Sequence, residues 1–265
     1  FWKPDLLLVE SAWAGLRNSW KYGIAAYPDR PERTNARLAK MVACARNLGI
    51  PCAFWNKEDG VHFERFKSSA SLFDYIFTVD ENCIPAYREL TGNRVPVHSL
   101  MFAIQPSIHF PNRKSGPVNR QGSFVGSYSR HIHDERRKWQ DMVFRSAAPL
   151  GLTVFDRNSK RKSSNYRYPE IPGIEVRCAV PHAETADIYR DYSFSLNVNT
   201  VVDSPTMFSR RLIEIMGCGG VAITNPAKSV AQHFREYCHT VSSELEAADL
   251  FGRLKAGISK QDRDM

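Results

Sequence analysis

Short apolar runs alternate along the chain with longer segments of helical periodicity. In the first hundred residues, four runs are continuous enough to predict buried strands, over residues 5–10, 51–55, 75–79 and 95–100. A helical pattern predicts a helix over residues 35–48, with Asn35 as its N-cap and Gly49 as its stop. Continuous apolar strands separated by helices are typical of a parallel sheet covered on both faces.

The same alternation returns in the second half. It predicts strands over residues 122–126, 152–156, 194–198 and 221–224. It predicts helices over residues 183–192, 209–216 and 243–256. Residues 105–121 hold three prolines and few large apolar side chains, which indicates a linker. We therefore expect an α/β protein of two domains, residues 1–112 and 113–265.

Composition narrows the classes of protein that are compatible with this pattern. The 265 residues contain no apolar run long enough for a membrane span and no signal peptide, so we expect a cytoplasmic protein, with peripheral membrane binding left open. Six cysteines without a CxxC pair predict reduced thiols. The net charge of +8 favours an anionic partner. The basic residues are mostly single along the chain, which favours a phosphate pocket over an extended nucleic-acid-binding surface. A solvated basic surface is the alternative.

Polar residues follow the predicted strands of the second half, where ligands of open parallel sheets bind. A glycine lets backbone N–H groups approach a phosphate, arginines can neutralise a diphosphate, and a carboxylate can accept both hydroxyls of a ribose. The candidate donor-binding residues are Gly126, Ser127, Arg130, Arg136, Arg157, Asn199, Ser204, Thr206, Met207, Ser209, Arg210 and Glu214. Tight turns, surface ion pairs, ordinary helix caps and a solvated glutamate are the alternatives for the same residues.

A second polar cluster follows the predicted strand 51–55 in the first half. The candidate catalytic residues are Asp59, Glu58 and His62, one of which would act as a general base. The candidate acceptor-binding residues are Glu10, Trp13 and Trp55, since tryptophan can stack on a sugar face. An ion-paired loop and tryptophans packed in the core are the alternatives.

The sequence gives little support for a bound metal ion or a cofactor. His131 and His133 are two residues apart, a spacing that points two side chains apart in a strand and poorly together in a helix. The chain has no GxGxxG, GxxxxGK[ST] or HExxH motif. We expect no metal site and no cofactor.

Several segments together resemble the CgeB-type, spore-maturation glycosyltransferase-like family of bacteria. They are FWNKEDGVHFERF, FDYIFTVDENC, FVGSYS, FDRNS and LNVNTVVDSPTMFSRRLIEIMGCGGVAIT. The resemblance implies a GT-B fold, in which two Rossmann-like domains face a cleft. It implies that Glu214 binds the nucleotide ribose, and that the Gly126 loop and residues 204–209 face the phosphates and sugar of the donor. It also implies acceptor contacts near Glu10 and residues 58–62.

One position departs from the pattern of that family. Many retaining relatives carry a second glutamate eight positions before the ribose glutamate, and this chain has Thr206 there. The stereochemistry of transfer is therefore left open.

The leading hypothesis is a metal-independent glycosyltransferase that moves a sugar from a nucleotide-diphosphate sugar to an unknown acceptor. Arg157 and Arg210 are the preferred residues for stabilising the departing diphosphate. The alternatives are a nucleotide-sugar epimerase of the same fold and a non-catalytic carbohydrate-binding or assembly module. A nucleic-acid binder is a third alternative, and we do not expect a nucleic-acid partner.

Overall fold

A computed structural model describes the backbone of residues 3–111 and 117–264, and side chains as far as Asp262. The chain divides into two compact units. The N-terminal unit comprises residues up to Phe102 together with Asp203–Met207. The C-terminal unit comprises Ala103–Val202 and the residues from Phe208 onward. The predicted domain boundary between residues 112 and 113 lies outside the described residues.

The N-terminal unit is built on a parallel four-stranded sheet. Its strands are β1 (Leu7–Glu10), β2 (Cys52–Asn56), β3 (Tyr75–Thr78) and β4 (Val97–Ser99). They lie side by side in the order β1-β2-β3-β4. Its helices are α1 (Ala36–Asn47), α2 (Phe63–Ala70) and α3 (Ile84–Leu90).

One face of this sheet carries the core of the N-terminal unit. Phe54 and Ile76 belong to a buried cluster that also contains Leu38, Phe66 and Tyr87. On the other face, Leu8 and Tyr75 are 52% and 42% exposed. The apolar strands predict a sheet that is covered on both faces. One face is densely covered, whereas part of the other face is exposed.

The ends of α1 follow the sequence prediction in part. Asn35 is the N-cap residue, but its side-chain amide donates to Ser68 and Ser69 instead of capping the helix. Gly49 follows the helix at φ 69°, the left-handed conformation that favours glycine. The hydroxyl oxygen of Thr34 accepts from the backbone N–H of Ala36 at the helix start.

The C-terminal unit contains a parallel six-stranded sheet. Its strands are β5 (Asn119–Gly126), β6 (Leu152–Asp156), β7 (Ile174–Cys178), β8 (Tyr192–Leu196), β9 (Ala222–Thr224) and β10 (His239–Thr240). Its helices are α4 (Asp134–Ala147), α5 (Thr185–Asp191), α6 (Arg210–Gly217), α7 (Lys228–His233), α8 (Glu244–Ala256) and α9 (Lys260–Asp264).

The strand order of this sheet is β10-β9-β8-β5-β6-β7. Counted from β5, the order reads 6-5-4-1-2-3, which is the Rossmann order. Phe124 and Phe194 belong to a core cluster with residues of α4 and α8, whereas Val125 and Phe155 belong to another with residues of α5 and α6. Both faces of this sheet are therefore covered, as the sequence predicts.

Two further observations concern the described part of the chain as a whole. The six cysteines, all within the described residues, are not assigned to any disulfide, as expected from their spacing. Within the described residues, no helix combines the length and the apolar composition that a membrane crossing requires.

Candidate functional site

The strand order of the C-terminal unit reverses between β5 and β8, and ligands of Rossmann folds bind at such a switch point. Ser127 directly follows β5, and Thr200 lies shortly after β8. Arg136 of α4 joins the two, since its guanidinium donates to the Ser127 carbonyl at 3.2 Å and to the Thr200 hydroxyl at 3.3 Å. A cationic side chain is thereby held where a nucleotide would be expected.

A cavity of about 620 Å³ opens at this position. It is lined by Ser127, Tyr128, Ser129, Ile132, His133, Arg136, Gln140, Arg157, Asn158, Arg161 and Tyr166. We call it the arginine cavity, because the described residues of its lining include three arginines and no carboxylate. Of the predicted donor residues, Ser127, Arg136 and Arg157 line it.

The guanidinium groups around the arginine cavity repel one another. Burial, followed by the positive charges of Arg211 and Arg157, lowers the pKa of Arg136 to about 10. Burial also lowers the pKa of Arg211, and Arg157 adds to that effect. The Nε atom of Arg136 is buried and has no hydrogen-bond partner within the part of the chain that the structure describes. An anion in the cavity would offset this repulsion and satisfy that donor.

Gly126 at the end of β5 is required by packing. A Cβ atom there would lie 2.5 Å from the ring of Phe124 and 3.0 Å from Nη2 of Arg211. The Arg211 guanidinium lies over the Phe124 ring at 4.8 Å and donates to Asn197 Oδ1 at 3.4 Å. Arg211 is not among the predicted donor-binding residues, because an arginine within a helix carries no local signal of a site.

Glu214 is a buried carboxylate, 5% exposed, on α6. Its Oε1 atom lies 2.9 Å from Arg210 Nε, one helical turn earlier, and 3.0 Å from His182 Nε2. The charges of Glu214 and Arg157 both act on the guanidinium of Arg211, which follows Arg210 on the same helix. Arg210 and Glu214 thus form an ion pair one helical turn apart, and their role in donor binding stays a prediction.

Two histidines that sequence analysis missed face this carboxylate. His109 Nε2 lies 4.0 Å from Glu214 Oε1, and the rings of His109 and His182 are 5.5 Å apart. Burial lowers the pKa of His109, against the opposing effect of Glu214. His109 lies in the predicted linker and His182 just before a short helix, so neither position carries a motif.

Asn199 and Ser209 hold the loop that precedes α6. The buried Asn199 side-chain oxygen accepts from the backbone N–H of Ser209 at 2.8 Å, and its amide donates to Thr224 and Asn225. Ser209 is the N-cap residue of α6, but its side chain makes no capping bond. Both predicted donor residues therefore sit beside the switch point, with the Asn199 side chain engaged by protein partners.

The predicted donor residues Ser204, Thr206 and Met207 belong to the N-terminal unit. The buried Ser204 hydroxyl accepts from the backbone N–H groups of Thr206 and Met207. Thr206 Oγ1 donates to the Val79 carbonyl and accepts from the Glu81 N–H, both at 2.9 Å. These hydroxyls organise the backbone of the segment.

Arg130 lies outside the lining of the arginine cavity. Its backbone N–H donates to the Asn165 carbonyl at 2.8 Å, and its Nε donates to the Arg167 carbonyl at 3.3 Å. The exposed Arg130 side chain therefore helps to fix the loop that follows β6.

The predicted catalytic residue Asp59 is fully buried in the N-terminal unit. Its carboxylate accepts from the Asn56 amide at 2.5 Å and from the Tyr87 hydroxyl at 2.9 and 3.0 Å. Burial, only partly opposed by hydrogen bonds from Thr78 and Tyr87, raises the pKa of Asp59 to about 7. In this conformation the Asp59 side chain has no surface with which to meet an acceptor, and its role as base stays a prediction.

Glu58 and His62, the other two predicted catalytic residues, are half-buried. Burial lowers the pKa of His62, and Glu58 opposes that effect. The ring of Trp13 packs edge-on against His62 at 5.0 Å and against Phe66 at 5.2 Å. Trp13 therefore adjoins the candidate catalytic pair and also contributes to the core.

Glu10 and Trp55, two of the predicted acceptor-binding residues, also belong to the N-terminal unit. Glu10 Oε2 pairs with Lys57 Nζ at 2.5 Å, and Lys57 Nζ lies 5.7 Å from the Trp55 ring centre. Trp55 Nε1 donates to the Leu100 carbonyl at 3.0 Å. An ion pair and an anchored indole occupy the positions that were predicted to bind the acceptor.

Comparison with solved structures agrees with this architecture. An alpha-glucosyltransferase in complex with UDP-glucose and DNA containing an abasic site matches 98% of this chain and 74% of its own, with a TM-score of 0.62 and 11% identity. The chain is also similar to the GtfA/B complex (TM-score 0.48, 12% identity, 91% of this chain) and to sucrose-phosphate synthase from Thermosynechococcus elongatus (0.49, 11%, 85%). It spans only 57% and 66% of those two chains.

At such identities the likeness concerns the fold alone, which is the GT-B type with two Rossmann-like units. No protein of curated function matches the chain by sequence. The profile of a family described as glycosyl transferase-like matches residues 128–263, just over half of the chain. That span includes most of the arginine cavity and all of α6, and the chain belongs to this glycosyl transferase-like family.

Proposed function

We propose that the protein is a glycosyltransferase that binds a nucleoside diphosphate sugar in its C-terminal unit. The arginine cavity carries this proposal. Arg136 and Arg157 line the cavity, and the charge of Arg211 adds to the repulsion on Arg136. A buried guanidinium N–H of Arg136 has no partner among the described residues. A diphosphate would supply the negative charge that the lining lacks. The family of the chain supports sugar transfer as the reaction.

Glu214 would bind the ribose of the same nucleotide. Arg210 and His182 both contact Oε1, and we assign Oε2 to a ribose hydroxyl. The solved alpha-glucosyltransferase holds UDP-glucose, and we propose the same chemical class of donor here. The base and the sugar stay unassigned.

The departing nucleoside diphosphate would be stabilised by arginines, without a metal ion. Fixed cations directed at a developing negative charge are an effective form of transition-state stabilisation. Arg157 and Arg136 line the cavity itself, while Arg210 lies beside Glu214. We therefore expect sugar transfer to continue in the presence of EDTA.

The acceptor would be prepared by the N-terminal unit. Among the three predicted catalytic residues, Glu58 and His62 keep part of their surface open, and we propose them as the groups that orient or deprotonate the acceptor hydroxyl. Asp59 would act from the core by fixing this region. The CgeB-type relationship and the cytoplasmic location rest on the sequence and stay predictions.

The test uses nucleotide binding by calorimetry, with UDP, GDP and ADP as probes, on the whole chain. Arg136→Gln and Glu214→Gln should each weaken the best nucleotide by about tenfold or more, as expected for lost hydrogen bonds to charged groups. Arg145→Gln is the matched control, because Arg145 is an exposed arginine on the same helix. Unchanged affinity in Arg136→Gln would contradict the proposal.

Product analysis then separates transfer from the other reactions of this fold. Incubation with the bound nucleotide sugar and a panel of acceptors should release nucleoside diphosphate and a glycosylated product. An isomerised nucleotide sugar without acceptor would replace the proposal by an epimerase. Tight donor binding without any turnover would replace it by a non-catalytic module.

A further inference from the structure

The C-terminal unit contains a buried imidazole for which the described part of the chain supplies no hydrogen-bond partner. His109 is 3% exposed, and neither Nδ1 nor Nε2 has a hydrogen-bond partner among residues 3–111 and 117–262. A buried polar group left without a hydrogen bond destabilises the folded protein. A bound ligand at this position would remove that cost.

Two other potential ligand groups face His109. The ligand atoms of His109, His182 and Glu214 all lie within 4.8 Å of one another. The Oε1 atom of Glu214 is 3.0 Å from His182 Nε2 and 4.0 Å from His109 Nε2. We infer that these three residues form a binding site for Zn²⁺.

The ligand set and its spacing both fit zinc. Zinc binds imidazole nitrogen and carboxylate oxygen at about 2.0–2.1 Å, so tetrahedral ligand atoms lie about 3.4 Å apart. Two of the three separations lie within about 0.6 Å of that value. The third separation joins the two histidines. The side chain of His182 is half-exposed, so its rotation can adjust that distance. Mg²⁺ and Ca²⁺ prefer all-oxygen sites, so two imidazoles favour zinc.

Arg210 is the internal competitor for this site. Its Nε lies 2.9 Å from Glu214 Oε1, and its Nη2 lies 3.4 Å from His182 Nε2, so it holds the same two groups that would bind the metal. The Arg210 side chain is 45% exposed and can swing into solvent. Zinc binding therefore requires displacement of this guanidinium, and removal of the guanidinium should strengthen zinc binding.

Glu214 also stands in the proposed ribose site, so zinc should inhibit nucleotide binding. This consequence rests on the proposed function, whereas zinc binding itself does not. With three protein ligands, the fourth position of the metal stays open to water. The chain would thus have two exclusive states at Glu214, one with zinc and one with nucleotide.

The experiment titrates EDTA-stripped, desalted whole chain with Zn²⁺ against a chromogenic chelator, without nucleotide. We expect one Zn²⁺ per chain, and visible absorption bands of tetrahedral Co²⁺ when Co²⁺ replaces it. His109→Ala and His182→Ala should each lower the zinc affinity at least about tenfold. Arg210→Gln should raise it. His98→Ala is the matched control, because His98 is an exposed histidine of the N-terminal unit.

Thermal unfolding of each variant verifies that the fold is retained. Zinc affinity that is the same in His109→Ala, His182→Ala and His98→Ala would overturn the inference, as would weaker zinc binding by Arg210→Gln. Nucleotide affinity is measured separately in EDTA. If His109→Ala weakens only the nucleotide, His109 belongs to the nucleotide site and the metal site is refuted.

Discussion

Neighbouring residues of this chain take unrelated environments, and Asp59 shows it most clearly. Glu58 and Asp59 are adjacent in sequence and were predicted to share a catalytic role. The structure leaves Glu58 half-buried and encloses Asp59 with Asn56 and Tyr87. A fully buried carboxylate is costly to ionise. The free energy of unfolding should therefore depend on whether Asp59 is protonated.

Asp59→Asn should flatten the pH dependence of stability. The pKa of Asp59 is raised from 3.8 to about 7 in the folded protein, so the folded state binds its proton more tightly than the unfolded state. The resulting stabilisation is complete below about pH 4 and is lost as the pH rises through about 7. Urea unfolding from pH 5 to pH 8 should therefore show the wild type losing more stability than the variant.

The exposed Asp29 offers a control for that measurement. The free energy of unfolding of Asp29→Asn should follow the wild-type curve across the same pH range, because an exposed carboxylate stays largely hydrated when the protein folds. Parallel curves for Asp59→Asn and the wild type would show that Asp59 is ionised at no cost in the core.

The histidines at Glu214 mark the limit of what the sequence predicts at the residue scale. Glu214 and Arg210 could be anticipated because they lie one turn apart on a predicted helix beside a small-residue turn. His109 and His182 reach them only through the tertiary fold, from positions 105 and 32 residues away along the chain. No local pattern encodes a contact over such separations.

At the scale of elements, the sequence predicts strands well where their residues form a continuous apolar run. β6 spans Leu152–Asp156 as predicted, β3 and β9 each differ from their predictions by one residue at one end, and β2 is shifted by one residue at both ends. β7 was missed, because most of its residues are exposed and Glu175 and Arg177 interrupt its apolar character. Helices α2, α3, α4 and α7 were not assigned either.

Two glycines of regular elements should respond oppositely to alanine. Gly126→Ala forces a Cβ against Phe124 and Arg211, so we expect a loss of about 1–3 kcal/mol of stability and weaker nucleotide binding. Gly252→Ala on α8 meets no atom within 4 Å and should stabilise by about 0.5–1 kcal/mol, since glycine weakens a helix.

Chemical denaturation of both variants, with nucleotide titration of each, makes this comparison. Gly252→Ala should bind nucleotide like the wild type and serves as the control. Equal stability and binding in Gly126→Ala would show that Phe124 and Arg211 yield without consequence for the cavity.

For the molecule as a whole, positive charge is concentrated in one unit. The C-terminal unit has 23 Lys and Arg against 16 Asp and Glu, a net charge of +7, whereas the N-terminal unit has 13 against 12, a net charge of +1. Together these give the +8 of the chain. The unit that holds the arginine cavity is therefore the one whose field attracts an anion.

Nucleoside diphosphate affinity should consequently fall as NaCl is raised. Salt screens the attraction between the ligand and the surrounding cations, although buried pairs are screened less. Calorimetric titrations at low and high NaCl should give a steeper salt dependence for the wild type than for Arg136→Gln. Affinity that does not change with salt would indicate recognition by uncharged groups.

Asp203–Met207 belong to the N-terminal unit, which limits how the protein can be divided into fragments. The chain passes from one unit to the other three times, after Phe102, after Val202 and after Met207. A fragment starting at Ala103 would carry Thr206 without the Val79 carbonyl and the Glu81 N–H that its hydroxyl meets. No single cut of the backbone therefore yields two fragments that correspond to the two units, because every fragment that begins at Ala103 carries a segment of the N-terminal unit.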